Sequence, residues 1–182
     1  TGFDTVDIPA ATCSDIPVYN VPDYGTEEVA DQSIALALAL CRQIIPNHEH
    51  CKNLGWDVQH KNKIRRFKEM CFGVIGLGRI GTSVAMKAKA LGFKVYFYDP
   101  YLSDGVDKSL GIKRCSSLNE IISNMDVLSL NCPLTEETHH MITKKEIKKM
   151  RRGAFIVNTA RGPIIKKKDL FEALKKDDLG GA

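Results

Sequence analysis

The feature of this chain that most constrains its fold is a regular alternation of β-rich runs with amphipathic helical segments after residue 68. The β-rich runs are "CFGVIG", "KVYFYDP", "GIKRC", "DVLSLNCP" and "AFIVNTA", and the helical segments are residues 79–91, "SLNEIISN", "TKKEIKKM" and "KKDLFEALKKD". Parallel strands need a crossover, usually a helix, that returns the chain in the same direction. The alternation therefore predicts an α/β fold with a doubly wound parallel sheet.

A long helix is predicted ahead of this region. Thr26 can cap it and Pro46 ends it. Its apolar positions recur at steps of three and four residues: Val29, Ala30, Ile34, Ala37, Leu38, Cys41 and Ile45. Residues 18–22 read as a short extended stretch, and the polar residues 48–68, with their single tryptophan at Trp56, read as a surface connection.

The composition, with 43% hydrophobic and 26% charged residues in 182, is that of an ordinary globular protein. The richest apolar stretch, Ser33 to Cys41, is shorter than the about 20 residues that span a bilayer, so no membrane partner is expected. The chain has no recognisable signal peptide, and the cytoplasm is the default compartment. The six cysteines form no C-x-x-C pair, so we expect reduced thiols. Because the chain begins with Thr1 rather than Met, we expect it to be part of a longer protein.

The formal net charge of +4 comes largely from two basic runs, residues 144–152 and 166–168. Such runs are usually solvated helix faces. We therefore expect no direct nucleic-acid partner. A nucleic-acid-binding module built on these helices is the remote alternative, and it predicts binding that weakens steeply with salt.

A glycine motif joins the first predicted strand to the helix that follows it. In G-x-G-x-x-G, Gly76 would permit a tight turn, Gly78 would let the backbone approach a pyrophosphate, and Gly81 would let helix and strand pack closely. The amides at the helix start would face the phosphates. Asp99, about 20 residues further on at the end of a strand, can accept both ribose hydroxyls and repel a 2′-phosphate, which favours NAD over NADP. The alternative is a glycine-rich turn in another doubly wound protein, with Asp99 a solvated acid.

Arg161 is the second candidate site residue. It lies in "VNTARG", directly after a predicted strand, and ligands of such folds bind beyond the carboxyl ends of the strands. A guanidinium there could bind a substrate carboxylate at two points and polarise the neighbouring carbonyl. By position alone, a surface arginine is an equal alternative.

Six segments in order resemble the D-isomer-specific 2-hydroxyacid dehydrogenase family: "GFDTVDIPAA", "VPDYGTEEVAD", "GVIGLGRIG", "YDPY", "CPLTEETHHMI" and "GAFIVNTARG". The resemblance implies a substrate domain split between the two chain ends, with a Rossmann domain between them. Residues 1–24 would then be a short N-terminal remnant of the substrate domain with its linker, and residues 25–182 the NAD-binding Rossmann domain. It also implies a homodimer through the long helix.

By this resemblance the substrate is a small 2-hydroxy or 2-oxo acid, the cofactor is NAD, and Arg161 is the catalytic arginine. The implied cofactor-binding residues are Ile75, Gly76, Leu77, Gly78, Arg79, Ile80 and Gly81 at the pyrophosphate, Asp99 and Pro100 at the ribose, Cys132, Pro133, Leu134 and Thr138 along the cofactor, and Thr159, Ala160 and Arg161 at its nicotinamide end. The family's catalytic glutamate and histidine are expected beyond this chain, so we expect little or no turnover by these residues alone.

Within the family, "FYDPYLSDGVDKSLGI" is similar to the C-terminal-binding proteins, NAD-sensing transcriptional corepressors, which is the alternative function and would allow a nuclear location. Those proteins have a cofactor-contacting serine where this chain has Gly25. After "ARG" the chain has lysines instead of the family's acidic residues, so we expect a weakly capped helix at Lys166 and Lys167. No proton-transfer role is expected for the histidines of "THHM", and no metal is expected at "HEHC".

Overall fold

The protein forms one parallel sheet of five strands, as the alternation predicts. The computed structural model describes residues 2, 4–53, 55 and 64–182. The strands are β1 (Cys71–Ile75), β2 (Lys94–Tyr98), β3 (Lys113–Arg114), β4 (Val127–Leu130) and β5 (Phe155–Asn158). They lie in the order β3-β2-β1-β4-β5, with parallel pairing throughout. The chain therefore builds the sheet outward on one side of β1 and then crosses to build the other side.

Eight α-helices surround or precede the sheet in the described part of the chain. They are α1 (Ile8–Cys13), α2 (Thr26–Cys41), α3 (Ile44–Lys52), α4 (Arg79–Ala90), α5 (Val106–Leu110), α6 (Leu118–Asn124), α7 (Lys144–Ile147) and α8 (Lys167–Lys175). Neither α1 nor α5 was among the predicted helices, and residues 18–22 form no strand. Lys166 is the N-cap residue of α8, and its side chain makes no hydrogen bond to the helix. This agrees with the weak cap that a lysine at this position predicts.

The prediction of one helix from Thr26 to Ile45 that ends at Pro46 was wrong. Helix α2 ends at Cys41, and Gln43, with a positive φ of 52°, separates α2 from α3. Pro46 then lies in the first turn of α3, where a helix has no internal acceptor for backbone N–H groups, so proline loses no bond there. The predicted surface connection accordingly begins as helix, while Trp56 and residues 57–63 lie outside the described residues.

The start of α2 also differs from the prediction. Gly25, not Thr26, is the N-cap residue and makes no side-chain cap bond. Thr26 is the first helical residue, and its hydroxyl donates a 2.6 Å hydrogen bond to Oδ1 of Asp23. The two acidic residues that follow, Glu27 and Glu28, lie in the first turn, where a carboxylate favours the positive end of the helix dipole.

Apolar side chains fill both faces of the sheet. Phe72 and Val74 of β1 pack with α4 on one face, and Leu128 and Leu130 of β4 pack on the other face. Helix α2 packs on α4 and β5 through a narrow inner stripe of small residues and one isoleucine: Ala30, Ser33, Ile34 and Ala37. Ile34, the largest of these four side chains, packs against this core and is 9% exposed.

A charged cluster, here called the Asp126 cluster, lies at the amino ends of β1 and β4. Asp126 is buried and accepts hydrogen bonds from the Cys71 N–H at 2.7 Å, from Arg65 Nη1 at 2.6 Å and from Arg151 Nη1 at 3.1 Å. Burial alone would raise the pKa of Asp126. The Cys71 amide and the two guanidinium groups outweigh that effect and hold the pKa below its usual value.

Candidate cofactor and substrate site

The turn after β1 needs glycine at two of its three motif positions. Gly76 has a φ of +84°, and a Cβ atom on it would lie 2.7 Å from the Cys132 backbone nitrogen. A Cβ atom on Gly81 would lie 2.0 Å from the Gly76 carbonyl oxygen. The tight turn and the close approach of helix to strand are therefore both present. Around Gly78, by contrast, no described atom would lie within 4 Å of a Cβ atom, so this position faces open space.

Helix α4 begins directly after this turn with Arg79. Its N-cap residue, Gly78, has no side chain to accept a hydrogen bond from the first turn of the helix. The first N–H groups of a helix lack internal partners and attract anions, an attraction that the helix dipole strengthens. The geometry thus presents uncapped N–H groups next to the open space at Gly78.

Asp99 is anchored beside the glycine turn. Its Oδ2 atom accepts a 2.9 Å hydrogen bond from the Leu77 N–H, and its Oδ1 atom accepts a 3.0 Å bond from the Tyr101 N–H. An ionised carboxylate has about four lone-pair sites, so these two bonds leave acceptor capacity for a ligand. Pro100 follows at the surface.

The strand order changes direction between β1 and β4, and a cleft opens beyond the carboxyl ends of these strands. Such a switch point is where open α/β sheets bind ligands. The cleft has a volume of about 460 Å³. Its described lining residues are Gly2, Asp4, Asp23, Tyr24, Gly25, Thr26, Val29, Gly78, Arg79, Ile80, Asn131, Cys132, Pro133, Leu134, Thr159, Ala160 and Arg161.

Nine of the sequence-predicted site residues are thus brought together: Gly78, Arg79, Ile80, Cys132, Pro133, Leu134, Thr159, Ala160 and Arg161. The others, Ile75, Gly76, Leu77, Gly81, Asp99, Pro100 and Thr138, are not among its described lining residues. Except for Gly81 and Thr138, these residues end β1, form the glycine turn after it, or follow the end of β2. Thr138 shapes the loop after β4 instead, because its hydroxyl donates to the Pro133 carbonyl at 2.6 Å and accepts from the Thr135 N–H at 2.8 Å.

Asn131 is a cleft residue that the sequence analysis missed. Its amide Nδ2 donates to Oγ of Ser129 at 3.1 Å, and its buried Oδ1 atom has no hydrogen-bond partner among the described residues. A buried amide oxygen without a partner is costly, so this atom suits a ligand with an O–H or N–H donor. Its position directly after a strand in "SLNCP" was the available sequence signal. Next to it, burial raises the pKa of the Cys132 thiol.

The loop after β5 is held at its backbone and at its side chains. Asn158 accepts from the Ala160 N–H at 3.1 Å and donates to the Arg161 carbonyl at 2.9 Å. The Thr159 hydroxyl lies 2.6 Å from the Ser33 hydroxyl, which in turn donates to the Val29 carbonyl at 2.8 Å. Helix α2 therefore holds the side of the loop that faces the cleft.

The Arg161 guanidinium forms an ion pair with Asp4, which lies 157 positions earlier in the chain. Nε donates to Oδ2 of Asp4 at 2.8 Å and Nη2 donates to Oδ1 of Asp4 at 2.9 Å, while Nη1 donates to the Ala160 carbonyl at 2.8 Å. The hydrogen bond from Arg161 is the main cause that lowers the pKa of Asp4 below its usual value. Pattern reasoning missed Asp4 as a site residue.

A larger cleft, about 1180 Å³, lies elsewhere, along α2, α3 and β5, and its lining includes His139 and His140. We assign the functional site to the smaller cleft, because the uncapped helix start, the paired arginine and the unpartnered amide oxygen converge there. No group of three or more His, Cys, Asp or Glu side chains among the described residues could hold a metal ion. Across the same residues, no helix is long and apolar enough to cross a membrane.

The parallel sheet, the glycine turn and the acid at the end of β2 together define a dinucleotide-binding domain of the Rossmann type. The family model of the D-isomer-specific 2-hydroxyacid dehydrogenase NAD-binding domain matches residues 34–182. The chain therefore belongs to this family and carries its NAD-binding domain.

Similar proteins agree with this assignment. A D-3-phosphoglycerate dehydrogenase of Methanocaldococcus jannaschii is 39% identical over 181 residues, which cover 100% of this chain and 34% of that protein. A crystal structure of D-lactate dehydrogenase from Aquifex aeolicus, complexed with NAD and lactic acid, matches with a TM-score of 0.92 and 34% identity over 99% of this chain and 54% of that one. An NAD-dependent formate dehydrogenase from Staphylococcus aureus in complex with NAD matches with a TM-score of 0.91 and 31% identity, covering 100% of this chain and 54% of that one. The chain thus spans a third to a half of these relatives.

Proposed function

We propose that this chain is the cofactor-binding part of an NAD-dependent dehydrogenase that interconverts a small D-2-hydroxy acid and its 2-oxo acid. The observation that carries the proposal is that Arg161 and the start of α4 line one cleft at the switch point of the sheet. The start of α4 suits the phosphates of a dinucleotide, and Arg161 offers a guanidinium to a carboxylate. A cofactor and an acidic substrate would therefore meet there.

The residues of the cleft, together with Asp99 beside the glycine turn, fit NAD. The uncapped N–H groups of α4 would bind the pyrophosphate, and the remaining lone pairs of Asp99 would accept the ribose hydroxyls and repel a 2′-phosphate. The Asn131 Oδ1 atom would accept a hydrogen bond from the cofactor. NAD bound there supplies the hydride transfer at its nicotinamide ring.

Arg161 would bind the substrate carboxylate and polarise the adjacent carbonyl, because a guanidinium offers paired donors of fixed geometry. Because the chain spans a third to a half of its named relatives, we propose that the proton-transfer group comes from another part of the protein. We accordingly propose that these 182 residues bind NAD(H) with little or no turnover. Residues 1–24 would belong to the substrate domain of the whole enzyme.

A substrate screen tests the proposed activity. NADH oxidation is followed with short 2-oxo acids, and NAD reduction with D- and L-2-hydroxy acids and with formate, in the full-length protein that contains this chain. We expect at least one 2-oxo acid and its D-hydroxy acid to react, and Arg161→Ala to lower kcat/KM by about a hundredfold or more. The matched control is Arg152→Ala, an exposed arginine outside the cleft. Turnover of formate alone, or of no acid, would refute the hydroxy-acid proposal.

The corepressor alternative has less support, because the named relatives are dehydrogenases. We further propose a homodimer formed through α2 and the start of α3, where Leu36, Ile44 and Ile45 are exposed apolar residues. Sedimentation analysis tests the dimer, and a monomer at all concentrations would exclude it.

We also propose a cytoplasmic location, which the six free thiols support, and no direct nucleic-acid partner.

A further inference from the structure

Asp4 and Arg161 form the two-point ion pair that a substrate carboxylate would be expected to form. The carboxylate of Asp4 takes the side of the guanidinium that carries Nε and Nη2, at 2.8 and 2.9 Å. Both side chains are partly exposed, 39% for Arg161 and 36% for Asp4. Both also line the cleft. The pair therefore either blocks the arginine or orients it.

The donors that remain on the guanidinium decide between these two roles. Arginine has five N–H donors, and within the described residues two bond to Asp4 and one bonds to the Ala160 carbonyl. The bonds to Nε and Nη2 occupy the side of the guanidinium and leave donors on both terminal nitrogens, which form its end. The end of a guanidinium can bind a second carboxylate at two points. Asp4 thus leaves a binding edge of Arg161 available.

The surroundings of the pair hold it in one arrangement. A Cβ atom on Gly2 would lie 2.0 Å from Nη2 of Arg161, so the backbone of Gly2 packs directly on the guanidinium. Asn158 fixes the backbone of the same loop through the Ala160 N–H and the Arg161 carbonyl. The arginine is consequently held at both ends of its long side chain, which reduces the rotamer entropy that substrate binding would otherwise cost.

We propose that Asp4 is a positioning residue for Arg161, which holds the side of the guanidinium so that its end can bind the carboxylate of a 2-oxo acid. This inference rests on the proposed function. It assigns no chemistry to Asp4, which acts through the arginine alone. The hydrogen bond with Arg161 also lowers the pKa of Asp4 below its usual value.

The test compares Asp4→Asn, Asp4→Glu and wild type in the full-length protein, with a 2-oxo acid that the wild type reduces. We expect Asp4→Asn to raise KM for the 2-oxo acid by about tenfold and to leave the Kd for NADH within about twofold of wild type, because only the arginine is misplaced. Asp4→Glu, which keeps the charge, should recover part of the loss. In an Arg161→Lys background the Asp4→Asn substitution should add little, since lysine lacks the guanidinium edge that Asp4 holds at two points.

The matched control is Asp15→Asn, which removes the same charge from an exposed position of the same segment. Its φ of 54° is one that asparagine adopts readily. An unchanged KM in Asp4→Asn would overturn the inference and leave the proposed function standing. A lowered KM would overturn it too, because Asp4 would then be competing with the substrate. A wild-type protein that reduces no 2-oxo acid would overturn the proposed function, and this inference with it.

Discussion

The backbone N–H of Leu77 donates a 2.9 Å hydrogen bond to Oδ2 of Asp99, which joins the glycine turn after β1 to the end of β2. The Tyr101 N–H holds the other carboxylate oxygen at 3.0 Å. Asp99 is thus oriented before any ligand arrives. A preoriented acceptor binds a ribose more tightly than a mobile one, because less side-chain entropy is lost on binding.

We predict that Asp99→Ala lowers the affinity for NADH by about tenfold or more, since hydrogen bonds to charged groups contribute about 1.5–3 kcal/mol each. Affinity for NADPH should fall less, because the carboxylate that repels its 2′-phosphate is also removed. Calorimetric titration of the chain with both cofactors measures the change. Asp104→Ala is the control, since Asp104 is exposed and pairs with Arg114 outside the cleft. Equal NADH affinity in Asp99→Ala and wild type would contradict the assignment of Asp99.

Two glycines of the same motif should respond differently to alanine. Gly81→Ala should destabilise the fold by about 1–3 kcal/mol, because its Cβ atom would overlap the Gly76 carbonyl. Gly78→Ala should leave the melting temperature unchanged, since open space surrounds that position, yet weaken NADH binding. Thermal unfolding and NADH titration on both variants separate the two effects. Undiminished NADH binding by Gly78→Ala would mean that the pyrophosphate does not approach this position.

The bond between Ser33 and Thr159 should contribute to stability. Ser33 is fully buried and donates to the Val29 carbonyl, so Thr159 is the donor in the contact between the two hydroxyls. Ser33→Ala leaves the Thr159 hydroxyl without this partner and should lower the free energy of unfolding by about 1–2 kcal/mol. Ser109→Ala is the control, because the exposed Ser109 hydroxyl donates within its own helix, to the Val106 carbonyl. Similar urea midpoints for the two variants would argue against a role for the contact.

Thiol reactivity should divide the cysteines by burial. Cys13 and Cys51 are exposed, whereas burial raises the pKa of Cys41 to about 12 and that of Cys115 to about 11. The thiolate is the reactive form, so the two buried thiols stay protonated and inert at mildly alkaline pH. Mass spectrometry after brief alkylation of the native protein should find label on Cys13 and Cys51 first. Early labelling of Cys41 would show that α2 separates readily from the sheet.

The Asp126 cluster should make the free energy of unfolding depend on pH in the acid range. The pKa of Asp126 is lower in the folded protein than in the unfolded chain. Asp126 therefore contributes its full share of the free energy of unfolding above its unfolded-state pKa, and this share is lost as the pH falls through its folded-state pKa. Asp126→Asn should cost about 2 kcal/mol at neutral pH, because charged hydrogen bonds to two arginines are lost. The variant and the wild type should converge in stability at strongly acid pH. Urea titrations across the acid range measure this, and parallel curves would contradict the assignment.

The fold and the glycine turn were predictable because their signals are local. Each strand of the sheet is a short β-rich run, and Gly76 and Gly81 follow from the steric needs of one turn. The end of α2 was not predictable, since apolar residues continue at helical spacing to Ile45, whereas the helix ends at Cys41 and Gln43 has a positive φ. The pairing of Asp4 with Arg161 could not be foreseen either, because it joins residues 157 positions apart through tertiary structure alone.

The Asp126 cluster and the cleft lie at opposite ends of the same strands. β1 and β4 have five and four residues, and at about 3.3 Å per residue these lengths separate the two ends by roughly 13–17 Å. Effects of substitutions further apart than about 7–10 Å generally add. The two ends can therefore be engineered as independent modules, with thermal tolerance adjusted at one and ligand preference at the other. Combined variants should then be forecast by summing the effects of single ones.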